Sequence, residues 1–141
     1  MAKRPALAEA SVTITVPFHD VDMMTYAWHG HYVKYFEIAR CELLNKIDYN
    51  YLQMHDSGYM WPVIDMRIQY VRPAKFGMDV IVKASLVEYE NRLRIDFLIT
   101  DAETGLKLTK AYTCQVAVDM ATQEMCFVSP AILAQKLGLE Q

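Results

Sequence analysis

Cysteine is scarce in this 141-residue sequence: Cys41, Cys114 and Cys126 are an odd number, and no two of them have CxxC spacing. That pattern excludes a disulfide framework and a zinc knuckle, and a reducing cytoplasm is the expected compartment. Concentrated charge is lacking as well. The formal net charge is −3 and the Lys and Arg residues are scattered, so the electrostatic footprint of a nucleic-acid binder is missing. No apolar run approaches the roughly 20 residues that span a bilayer. The opening MAKRPALAEA has no apolar signal-peptide core, so a soluble protein without a membrane span is expected. Repeats, low-complexity stretches and interdomain linkers are also absent. The expectation is a flexible N-terminal segment over 1–10 and one domain over 11–141.

Apolar residues make up 53% of the chain and charged residues 22%, enough to bury one continuous core. Val12, Ile14, Val16 and Phe18 alternate with polar residues, the period-2 mark of a half-buried strand over 11–18. A polar HDVD turn follows. From Trp28 to Ile47 the apolar residues recur at Tyr32, Tyr35, Phe36, Ala39, Leu43 and Ile47, which predicts one long helix. Residues 48–61 read as an irregular connection. Strands then alternate through Ile64–Tyr70, Val80–Leu86, Leu93–Ile99 and Leu106–Val118, with turns at RPAKFGMD, at Glu90-Asn91 and at Asp101–Gly105. Ser129 as N-cap, Pro130 as first helical residue and Gly138 as stop frame a short terminal helix.

One strand, one long helix and four strands joined by short turns predict an α+β fold with a five-stranded, largely antiparallel sheet packed on that helix. A lone helix leaves one sheet face bare, and strands rich in Val and Ile need cover there, so self-association is expected.

The stretch 18–40, FHDVDMMTYAWHGHYVKYFEIAR, closely resembles the signature of the 4-hydroxybenzoyl-CoA thioesterase type of hot-dog proteins. The match comprises an Asp-x-Asp pair, a short loop, an aromatic and a His, then a helix with Tyr and a Glu-x-Ala-Arg ending. YVRPAKFGMD at 70–79 is similar to the family's strand-ending RPA and Gly turn. Met23, Met24 and Thr25 stand where that family often has Gly, and Met78 interrupts its usual Gly-Asp turn. The resemblance implies the hot-dog arrangement, the sheet wrapped around one long central helix, and an acyl-CoA thioesterase, a homodimer or homotetramer, that needs no cofactor and no metal. It takes a coenzyme A or acyl carrier protein thioester.

A thioester departs as a thiolate whose parent thiol has a pKa of roughly 8.5, so no strong general acid is needed. A carboxylate to attack the carbonyl or activate water, and an N–H group to hold the oxyanion, suffice. By the resemblance Asp22 is that carboxylate and the backbone N–H near His29 is that donor; Trp28, Tyr32 and Arg72 are candidates to border the substrate, Tyr32 reading first as core and second as an acyl contact. Asp20 reads as a capping residue. His29 and His31, two apart on a helix, point apart and do not form a metal site. Glu37 reads as the ion-pair partner of Arg40, and Arg72, Lys75, Arg92, Arg94 and Lys110 are candidates to meet coenzyme A phosphates. Two other functions fit the same fold, a hydratase or dehydratase on acyl thioesters and a non-catalytic acyl-thioester binding subunit.

Overall fold

The computed structural model describes residues 5–17 and 29–139. Its elements are β1 (Ala8–Thr15), α1 (His29–Lys46), α2 (Tyr51–Asp56), β2 (Tyr59–Met60), β3 (Val63–Tyr70), β4 (Asp79–Glu88), β5 (Leu93–Asp101), β6 (Lys107–Gln115), β7 (Val118–Asp119) and α3 (Ala131–Lys136). Five strands form one sheet in the order β1-β4-β5-β6-β3, and every neighbouring pair is antiparallel. β2 and β7 make a separate two-stranded ribbon.

Strand alternation decides what lies under α1. Val80, Val82, Ala84 and Leu86 of β4 and Leu93, Ile95, Phe97 and Ile99 of β5 are all buried. The helix answers with Tyr32, Tyr35, Phe36, Ala39, Leu43 and Ile47, the positions its apolar period predicts. Phe36 meets Phe97 with ring centroids 4.9 Å apart. Each such Leu, Ile or Phe contributes about 1.5–3 kcal/mol by leaving water, so this one layer of contact supplies most of the drive to fold.

The chain departs from its sequence pattern in several places. β1 begins at Ala8, paired with Leu86, so residues 8–10 of the segment expected to be flexible belong to the sheet. The connection expected to be irregular contains α2, started by a capping box. The Asn50 side chain accepts from the Gln53 N–H, and the Gln53 side chain accepts from the Asn50 N–H. The last strand divides into β6 and β7. At α3 the N-cap is Pro130 rather than Ser129, whose buried hydroxyl finds no partner among the described residues. Gly138 does end that helix at φ +73°, which only glycine adopts cheaply.

The expected reason for self-association is also corrected. The sheet face turned away from α1 is not an apolar surface awaiting cover. It carries Glu9, Lys83, Ser85, Arg94, Asp96, Lys110, Tyr112 and Arg67, the alternate residues of five strands. β3 is the strand of this sheet that carries several exposed apolar residues, Val63, Ile64, Met66 and Tyr70. Nothing described pairs with its outer edge, and α1 packs over β1 and β4 at the other side of the sheet.

Candidate active site at the start of the long helix

Asp20, Asp22 and Trp28 lie outside the described residues. His29 is the first residue of α1, and its side chain likewise lies outside the described part. The site is therefore built from what surrounds the helix start.

Tyr32, in the first turn of α1, is buried to 2% exposure. Its hydroxyl accepts a 3.1 Å hydrogen bond from the N–H of buried Ala74, in the turn that follows β3. Its ring meets Tyr70 edge-on at 5.1 Å. One side chain thus ties the helix start to the RPA turn, and the sequence pattern held no signal for that contact. Burial, with Tyr32 alongside, pushes the Tyr70 phenol above its ordinary pKa. Tyr32 in the free chain is thus a packing residue that borders the site.

Beside this corner runs an apolar strip. Met66, Ile68 and Tyr70 pair with Thr113, Ala111 and Thr109, and Thr113 bonds to a side chain from α1, so all three β3 residues face the helix side. Met66 is nonetheless 44% exposed and Tyr70 42%. An apolar wall next to a helix N-terminus is suited to an acyl chain whose carbonyl end meets the N–H groups of the first helical turn.

Further along α1, Arg40 is 1% exposed. One guanidinium nitrogen contacts the Glu37 carboxylate, another donates to Thr113 Oγ1 at 2.6 Å, and the group lies 5.5 Å from the Phe97 ring centroid. Tyr51 donates to the other Glu37 oxygen at 3.2 Å. The Glu37–Arg40 pair follows from i, i+3 spacing, whereas Thr113 and Tyr51 come from distant segments that no local pattern connects.

The basic candidates separate. Arg72 is exposed and donates to the Lys107 carbonyl at 3.2 Å, close to the Tyr32 corner through Ala74. Arg92 pairs with Glu88 at 3.1 Å and Arg94 with Asp96 at 2.9 Å. Lys110 points from the opposite sheet face. No group of three or more His, Cys, Asp or Glu suited to a metal occurs among the described residues. The three cysteines are unpaired, and desolvation raises the Cys41 and Cys114 thiols above their usual pKa. No helix among the described residues is long and apolar enough to cross a membrane.

A family profile described as the thioesterase-like superfamily matches residues 16–136. The Synechocystis protein sll0410, provisionally named an esterase, is 26% identical over 127 residues, 89% of this chain and 76% of that protein. Bacillus subtilis YneP, provisionally named an acyl-CoA thioesterase, is 24% identical over 104 residues, 72% of this chain and 75% of that one. Among solved structures, a 1,4-dihydroxy-2-naphthoyl-CoA thioesterase from Synechocystis superposes with a TM-score of 0.81 at 17% identity, covering 92% of this chain and 96% of its own. The DHNA-CoA thioesterase of Staphylococcus aureus gives 0.76 at 24% identity, covering 84% and 80%. At these identities the likeness establishes the fold, and it is the hot-dog fold.

Proposed function

The chain belongs to the thioesterase-like superfamily, and from that premise we propose that it hydrolyses acyl-coenzyme A thioesters with Asp22 as the acting carboxylate. The observation that carries this reading is the corner at the start of α1. There the N-terminal turn of an 18-residue helix lies beside the apolar strip of Met66, Ile68 and Tyr70. Helix-terminal N–H groups and the helix dipole stabilise the oxyanion that forms when a thioester carbonyl is attacked. The segment with Asp22 leads directly into that turn. The likeness to YneP supports a coenzyme A thioester as substrate.

Asp22 acts either by direct attack, giving an acyl-enzyme anhydride that water then opens, or by drawing the proton from an attacking water. The thiolate leaves without a general acid, and the chemistry needs no cofactor. His29 contributes its backbone N–H, while Trp28, Tyr32 and Arg72 border the substrate.

Asp22→Asn and Asp20→Asn separate catalysis from capping, because Asn and Asp cap helices about equally well. Thiol-release kinetics on acyl-CoAs should show kcat lowered roughly a hundredfold at Asp22 with KM nearly unchanged, and a much smaller loss at Asp20. Equal losses, or a larger one at Asp20, would place the carboxylate wrongly. An absence of thiol release in the parent would leave the binding-subunit reading standing, and double-bond hydration without thiol release would favour the hydratase.

The same reading includes a homo-oligomer, a dimer or a tetramer built from dimers. Its support is the outer edge of β3, with which no described strand pairs, together with the half-exposed Met66 and Tyr70. It also places the protein in the cytoplasm, where its three unpaired thiols would stay reduced.

A further inference from the structure

The sheet face away from α1 holds a concavity of about 800 Å³ whose walls include Arg67, Lys83, Arg94, Lys107, Lys110 and Tyr112. Two of these cations are neutralised: Lys83 pairs with Glu9 at 2.6 Å and Arg94 with Asp96 at 2.9 Å. Arg67, Lys107 and Lys110 are exposed and have no ion-pair partner among the described residues. Three uncompensated positive charges thus share one hollow in a chain whose net charge is −3.

Register brings the charges together. Gln69 stands opposite Lys110 and Arg67 opposite Tyr112, so Arg67 and Lys110 are diagonal neighbours on one face. Lys83 and Lys110 both flank Leu98, two strand spacings or roughly 10 Å apart. The hollow also offers a flat surface, since the Arg94 guanidinium lies 4.1 Å from the Tyr112 ring centroid, with Leu98 and Val87 beside it. A guanidinium stacked on an aromatic ring is a platform for a planar base.

We propose that this hollow is a binding site for a nucleotide bearing a pyrophosphate, with its base on the Arg94–Tyr112 platform and its phosphates on Arg67, Lys107 and Lys110. The volume is that of a small-molecule site rather than a protein interface. Two sources carry the required chemistry, a free nucleoside diphosphate and the nucleotide end of a coenzyme A thioester. The second deepens the thioesterase reading and rests on it.

Titration calorimetry with ADP at low salt on the parent chain and on the Arg67→Gln/Lys110→Gln variant tests the site, with thermal melts as the control for folding. Both residues are exposed, and Lys107→Gln provides a second, independent variant. The expected result is saturable binding to the parent, weakened roughly tenfold or more in the double variant, and weaker binding of inorganic pyrophosphate than of ADP. Kinetics then separate the sources. A KM that rises for acyl-CoA but not for acyl-pantetheine, which lacks the nucleotide, assigns the site to the substrate; a KM unchanged for both assigns it to a free nucleotide. The proposal is overturned if ADP does not saturate, if the variants bind it like the parent, or if pyrophosphate alone binds as tightly. Failure of the thioesterase reading appears separately, as no thiol release from either thioester.

Discussion

Arg40 shows how a single residue can be costly and necessary together. A charged group buried to 1% exposure loses most of its hydration, and three contacts replace it: Glu37, Thr113 and the Phe97 face. Its Nε finds no partner among the described residues, so the compensation is incomplete. Removing the counterion should therefore hurt more than an exposed ion pair would suggest. Glu37→Ala is expected to lower unfolding free energy by about 3 kcal/mol, the low end for breaking a buried pair because Glu37 is itself half exposed. Urea denaturation reads this, and a loss below about 1 kcal/mol would show that water already solvates the guanidinium. Spacing three apart made this pair visible in the sequence. The Thr113 contact was not visible, because it depends on how α1 lies across β6.

Elements were legible wherever one face is apolar and the other polar. Val80, Val82, Ala84 and Leu86 announce β4, and Tyr32 to Ile47 announce α1, because burial forces their period. α2 escaped notice for the opposite reason. It buries only Met54, and its start depends on polar exchange between Asn50 and Gln53. Asn50→Ala should cost about 1 kcal/mol of stability in the same denaturation experiment, with Asn50→Asp close to neutral. Equal losses in both variants would mean that the cap bond to Gln53 contributes little. At α3 a Ser-Pro pair looked like a cap and a first turn, yet the hydroxyl of Ser129 points into protein and Pro130 takes the cap position. Of the candidate site, Asp22 and Trp28 were named through a family pattern and lie outside the described residues, while the Tyr32–Ala74 tie needed coordinates.

At the scale of the whole molecule, the sheet has two unlike sides and two unlike edges. Charge on the side away from α1 needs no cover, whereas among the described residues no strand pairs with the outer edge of β3, which carries half-exposed Met66 and Tyr70. Self-association should therefore run through β3. Sedimentation velocity at micromolar concentration is expected to give a dimer or tetramer, and Met66→Glu to shift it toward monomer by placing charge in the contact. A parent chain that sediments only as monomer would refute this.

The strand order also dictates how the protein comes into being on the ribosome. β1 is made first, and its strand partner among the described residues, β4, ends at Glu88. β3 must likewise wait for β6, which ends at Gln115. α1, made directly after β1, can cover it at once, whereas β3 emerges well before its strand partner, and β1–β4 is the first pair of this sheet that can close, ahead of the hairpins β4–β5 and β5–β6. Until β6 is made, β3 displays an apolar strand open to mispairing with a neighbour, which makes that interval of synthesis a stage at which chaperones matter.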